Sequence, residues 1–393
     1  MQQTTEATGR RPLEGVRVLD LTRVLAGPYC TAMMADLGAE IIKVEAAHGD
    51  DYRHIGDRID GESILFQTVN RGKKSIVLDL KAPEGIETIR RLVATADVLI
   101  ENFRPGVMDK LGLGAEALRQ EHPALVYVSV SGFGQTGPNT ASPAYDIIIQ
   151  AMSGLMDVTG EPDNPPTMVG EALADVAGGI FAAFGTMVAL FDRERTGTGR
   201  HVDLALFDAL VSMMPIVASR ALLGDGKPTR TGNKHPVSAP FGTYQAGDGH
   251  FTVAVLNNRL FATFAASIDC PELADDPRFA TDSLRRDNEP ALAEKIEAWA
   301  GSRTVGEVVS LLTEAGIPVA PIQTAAEAWG SAQAEARGLS SAVSHPVLGM
   351  LQIPEQPIHF SDVPRGGRPA APALNAHKDE ILADLNRREG EKA

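Results

Sequence analysis

The stretch Pro12–Glu45, PLEGVRVLDLTRVLAGPYCTAMMADLGAEIIKVE, decides the fold. Val16–Leu21 reads as a short apolar strand, Tyr29–Leu37 as a helix and Ile41–Glu45 as a second strand. A helix so close between two strands points to a βαβ unit, because parallel neighbours need a crossover and antiparallel ones do not. The rhythm continues outward. Ser75–Leu80 predicts a strand, about Pro83 to Ala96 a helix, and Val98–Phe103 and Leu125–Val130 two more strands. Strands apolar along their whole length, alternating with helices, imply a parallel sheet covered on both faces.

Beyond Asp175 the pattern predicts two long helices, as far as Leu223, flanking a strand at His201–Leu206; TGTGR (Thr196–Arg200) makes the turn. Gly224–Pro240 has linker composition. Phe241–Val255 reads as a hairpin turning at Asp248-Gly249. Helical patterns run from about Arg259 to Ala315, so a smaller α+β domain is placed at 228–325. The tail carries a β-rich stretch, Val347–Phe360, and a short helix at His377–Leu385.

The 393 residues are 44% apolar and 22% charged, with a net charge of -15. Such a chain is repelled by nucleic acid and by anionic membranes, so neither is expected as a partner. A polyanionic ligand would need a local basic cluster. The only two cysteines, Cys30 and Cys270, have no metal-site spacing and fit a reducing, cytoplasmic setting. Met1–Arg11 is polar, without the apolar core of a signal peptide. The charge-free run Val176–Phe191 is shorter than the ~20 residues of a bilayer span and is expected to be a buried helix.

Four stretches carry candidate chemistry. RVLAGP (Arg23–Pro28) follows the first strand, where doubly wound sheets bind anions at helix N-termini; the dinucleotide glycine fingerprint is absent. ENFRPG (Glu101–Gly106) offers the Asn102 amide, the Phe103 ring for stacking and the Arg104 guanidinium for phosphate, with Lys110 close behind and Arg71, Lys73, Lys74 and Lys81 upstream. A solvated loop is the plainer reading. GFGQTGP (Gly132–Pro138) leads through a glycine-rich loop to the helical AYDIIIQAMSG (Ala144–Gly154). GEALADVAGG (Gly170–Gly179) places Asp175 before a long apolar helix, either as an ordinary N-cap or as a nucleophilic carboxylate with room beside it. There is no G-x-S-x-G elbow and no metal-ligand spacing among the nine histidines, so no metal is expected.

These stretches, with LGAEIIKVE (Leu37–Glu45), NRGKKSIVLDLK (Asn70–Lys81), RERTGTGRHVDLALFDA (Arg193–Ala209) and GNKHP (Gly232–Pro236), resemble the class III CoA-transferase family, whose fold the α-methylacyl-CoA racemases share. The resemblance implies an α/β fold. A large Rossmann-like domain would be built from residues 1–227 and a return segment, 326–393, around the inserted small domain, in an interlocked homodimer. It implies Asp175 as the nucleophile, with Tyr145, Asp146 and Gly134 in support. It places the coenzyme A contacts at Val24, Leu25, Leu78 to Lys81, Asn102, Phe103, Arg104 and Lys110. CoA thioesters and small carboxylic acids would be substrates, with no tightly bound cofactor. Where formyl-CoA transferases carry an arginine after the second strand, this chain has Ala46, so one phosphate contact is either missing or supplied by His48 or Arg53; where they carry a glutamine in the first turn it has Leu25, and the small domain lacks their glycine quartet. The racemase branch carries a histidine before an aspartate, where this chain has Tyr145-Asp146. Tyrosine ionises only near ~10 and is a weak base for an α-proton. Transfer is therefore the expected reaction, with racemisation or plain CoA binding as alternatives.

Overall fold

The computed structural model describes residues 9–224 and 229–392. Most of the polar Met1–Arg11 segment, part of the Gly224–Pro240 linker and the expected boundary at 227/228 lie outside the described residues. The described chain divides into two compact units. One takes in the chain up to Leu155, Met168–Leu222 and the chain from Ala332; the other takes in Met156–Thr167 and Leu223–Ser331.

The first unit is built on six strands, β1 (Arg17–Asp20), β2 (Glu40–Glu45), β3 (Lys73–Val77), β4 (Val98–Glu101), β5 (Val126–Ser131) and β6 (His201–Ala205). They lie in the order β3-β2-β1-β4-β5-β6, and every pairing is parallel. This is the doubly wound order, in which the chain leaves β1 toward one edge and β4 toward the other. Side chains alternate between two cores. Val18, Ile100 and Val128 face α1 (Ala26–Asp36) and α4 (Leu173–Thr196), while Leu19, Leu99 and Tyr127 face α2 (Pro83–Val93) and α9 (Lys378–Lys392). Two shorter helices, α3 (Asp146–Met152) and α5 (Leu206–Ser212), complete the first layer.

The second unit has a three-stranded antiparallel sheet of β7 (Phe241–Gln245), β8 (His250–Ala254) and β9 (Val319–Pro321), with β8 central. The helices α6 (Asn258–Ser267), α7 (Glu289–Ala300) and α8 (Val305–Glu314) pack on it through Phe251, Phe261, Phe264, Trp299 and Leu312. The tail of the chain contributes the hairpin β10 (Ser340–His345) and β11 (Gly349–Pro354) to the first unit.

Three expectations need correction. The third strand runs from Lys73 to Val77, beginning two residues early and ending three early, so Leu78 lies beyond it, half-buried against the apolar core. The second long helix is broken: α5 ends at Ser212, and the chain resumes at Pro215 with a bend of 75°, because proline has no N–H to continue the ladder. The run Val176–Phe191 is not wholly buried. One face of α4 (Ala174, Ala177, Gly178, Ala182, Thr186, Ala189) lies in the core, while Ile180, Phe184, Val188 and Phe191 are exposed on the other. By length and composition alone α4 would pass for a membrane span.

Candidate active site

A cavity of about 260 Å³ opens where the carboxyl ends of β1, β4 and β5 meet. Its lining comes from Arg23–Ala26 after β1, Asn102–Pro105 after β4, Val130–Gly132 at the end of β5, Ala144 and Tyr145 before α3, and Asp175 at the start of α4. The sheet order dictates this place. Loops diverge from β1 and β4, and α1 and α4 begin at the edge where the strands end, which brings Ala26 and Asp175 to the opening.

The loops are tied to one another. The Asn102 carboxamide accepts the Arg23 N–H at 2.9 Å and donates to the Arg23 carbonyl at 2.8 Å, so both ends of the amide are committed to the β1 turn. The Arg23 guanidinium lies 5.5 Å from the Phe103 ring centre and 3.6 Å from Asp51. Val24 sits in the left-handed region at φ 69°, a conformation that a β-branched residue adopts only under constraint.

Asp175 is not an N-cap. Ala172 holds that position without a side-chain bond, and Asp175 is the third residue of α4. The capping is done from outside, where Asp146 Oδ1 accepts the Ala174 N–H at 2.7 Å and Oδ2 accepts from Gln150 at 2.7 Å. With the end of its helix satisfied by another carboxylate, Asp175 is free to face the cavity. Burial and then the like charge of Asp146 push its carboxyl up to about 7. Such a group is half protonated at neutral pH and a far stronger base than an ordinary aspartate once ionised.

Residues 13–378 match the profile of CoA-transferase family III. The chain belongs to that family. It is 43% identical to the acetyl-CoA:oxalate CoA-transferase of Acetobacter aceti, over 95% of this chain and 96% of that one. It is 37% identical to the succinyl-CoA:glutarate CoA-transferase of Mus musculus, over 98% and 88%. Among solved structures, a CAIB/BAIF family protein from Brucella suis superposes with a TM-score of 0.85 at 39% identity, covering 96% of this chain and all of that one.

Of the contacts expected from the family, Val24, Leu25, Asn102, Phe103, Arg104 and Tyr145 share the cavity with Asp175. Lys81 and Lys110 do not. They line a separate surface groove with Arg90 and Pro83. Leu78 is half-buried against the core and lines neither opening. Asp146 acts from behind, through α4. The Gly134 amide, expected beside the reaction centre, donates instead to Ser131 Oγ at 3.0 Å, and the next amide donates to the Asp203 carboxylate. That loop borders a different, polar cleft lined by Glu101, Ser129, Gln135 and His201, in which burial pushes the Glu101 carboxyl up to about 7.

The other three upstream basic residues are committed within the protein. Arg71 pairs with Asp36, Lys73 is buried on Asp20, and Lys74 lies between Glu40 and Glu380. Nor does Arg53 replace the missing arginine at Ala46, because its guanidinium grips Glu45 at 2.7 Å and lies over Phe66 at 3.8 Å. Two residues escaped sequence reasoning. Asp51 lines the cavity. Tyr52 stands close enough to Asp175 for that carboxylate to be, after burial, the main cause that pushes its phenol up to about 12. Both lie in a short 3-10 turn with no periodic signature.

Proposed function

We propose that this family III transferase carries CoA from an acyl-CoA donor to a small dicarboxylic acid, with Asp175 as the covalent carrier. The observation that carries the reading is the position of Asp175. It lines the same cavity as the β1, β4 and β5 loops, as the third residue of a helix whose end Asp146 caps from outside. The relatives named above use acetyl-CoA or succinyl-CoA and acids with two carboxyl groups, oxalate and glutarate. Substrates of that class suit a cavity of this size, walled by two arginines, Arg23 and Arg104.

The Asp175 carboxylate attacks the thioester carbonyl, the C–S bond breaks, and CoA leaves as thiolate from a mixed anhydride. The thiolate then attacks Cγ of Asp175, and the donor acid departs, leaving an aspartyl-CoA thioester. The acceptor carboxylate expels the thiolate again to form the second anhydride. The thiolate attacks the acceptor carbonyl, which regenerates Asp175. Covalent catalysis divides one difficult exchange into steps of moderate height. The Tyr145 hydroxyl at the cavity mouth orients the thioester. Arg23, Phe103 and Arg104 receive the coenzyme, and the groove with Lys81 and Lys110 suits its nucleotide end. A homodimer is the assembly that fits the apolar stripe on α4, and the cytoplasm is the setting that suits two cysteines left free.

Incubation with acetyl-CoA and succinyl-CoA, hydroxylamine trapping and peptide mass spectrometry test the reading. A hydroxamate at Asp175, together with loss of exchange to background in a folded Asp175→Ala variant, is expected. Undiminished exchange by that variant would overturn it.

A further inference from the structure

Asp50 is 1% exposed and stands behind the cavity at the centre of four contacts. Its Oδ1 accepts the Val24 N–H at 2.9 Å and the Tyr52 N–H at 3.0 Å. Its Oδ2 pairs with Lys43 Nζ at 2.8 Å, and its own N–H donates to Glu45 at 3.0 Å. Lys43 is fully buried and also donates to the Thr22 carbonyl at 2.8 Å. Side chains from β2 and the turn after it thus hold the β1 turn at two successive points, Thr22 and Val24.

The second of these points is the strained one. Val24 has φ 69°, where a β-carbon crowds the backbone and a branched side chain adds to the cost. Released from its anchor, the residue would relax toward negative φ and carry Arg23 and Leu25, both cavity-lining, with it. The same oxygen fixes the turn that carries Asp51, another lining residue. We propose that Asp50 is a positioning residue for the transfer reaction: held by Lys43, its Oδ1 keeps Val24 left-handed and so sets the wall of the cavity that Asp175 shares. The inference rests on the transferase reading of that cavity. It adds to that reading a device that stores backbone strain at the site and counters it with a buried ion pair.

The test compares Lys43→Met/Asp50→Asn with Lys43→Met/Asp50→Leu. Both remove the buried ion pair, and only the asparagine keeps an oxygen where Oδ1 stands. With similar thermal midpoints, the leucine chain is expected to have kcat/KM for CoA exchange lower by roughly ten- to a hundred-fold, the scale of releasing one strained residue. The Val24 amide should lose hydrogen-exchange protection in the leucine chain and keep it in the asparagine chain. Adding Val24→Gly should close most of the gap, because glycine adopts positive φ without an anchor. A merely structural Asp50 would not be relieved by a change at Val24. If the leucine chain does not fold, Lys43→Met/Asp50→Ala supplies the same comparison. Equal kcat/KM in the two chains, or a gap that Val24→Gly leaves untouched, would overturn the inference. Failure of the transferase reading is seen separately, as exchange retained by Asp175→Ala, and the Val24 protection measurement needs no substrate.

Discussion

At Asp175 the nucleophile and its proton are set by two neighbours of different kinds. Burial disfavours the charged carboxylate, and Asp146 adds a like charge while its own oxygens serve the Ala174 N–H and Gln150. Because the native pKa is raised to about 7, the native state holds this proton more tightly than the unfolded chain does. The stability it contributes is full below the ordinary carboxylate range and is lost as pH rises through about 7. Reactivity runs the opposite way, since only the ionised form attacks. The kcat/KM profile of the free enzyme is expected to fall on its acid side with an apparent pKa near 7. Asp146→Asn keeps an oxygen for the Ala174 amide and removes the like charge, so the acid limb should move toward lower pH. A limb that stays in place in this variant would mean that burial alone sets the proton affinity of Asp175.

Among the elements, the contact between α1 and α4 positions Asp175 most directly. It depends on Gly179, where a β-carbon would come within 2.7 Å of the Ala26 carbonyl and 3.0 Å of the Tyr29 ring. Gly179→Val must therefore push the two helices apart, and is expected to lower stability by about 1–3 kcal/mol and to cost activity out of proportion, as measured by denaturant melts beside CoA-exchange rates. A change in neither would mean that the helices can part without moving Asp175. The strands around this contact were legible in the sequence because unbroken apolar runs such as Val98–Ile100 and Val126–Val128 fit only a strand buried on both faces. The break after Ser212 was legible in principle, since Pro215 stood inside the helical pattern. The ties between loops were not. Val24 and Asp50 are 26 residues apart, and Asn102 reaches Arg23 across 79; neither link leaves a period to read. For the same reason Lys73, buried on Asp20, resembled a surface cation awaiting a phosphate.

At the scale of the whole molecule, α4 poses a question that one chain does not answer. Its inner face is made of alanine, glycine and threonine packed in the core, yet Phe184 and Phe191 are 66% and 67% exposed, with Ile180 and Val188 beside them on the same face. Four large apolar side chains in a row on one helix are more than a monomer's surface usually carries uncovered. Met213 and Ile216, also exposed, flank the break that follows α5. A net charge of -15 works against casual association, so whatever covers this face must do so by shape and apolar area, as homodimer interfaces do. The expected occupant is the same face of a second chain. Sedimentation of the native protein should give twice the 41.7 kDa chain mass, insensitive to salt because the contact is apolar. Phe184→Asp combined with Phe191→Asp places two like charges in each copy of the seam and should shift the species to monomer at micromolar concentration. A native chain that sediments as a monomer would assign the stripe to some other partner. A doubly substituted chain that remains dimeric would place the interface elsewhere on the surface.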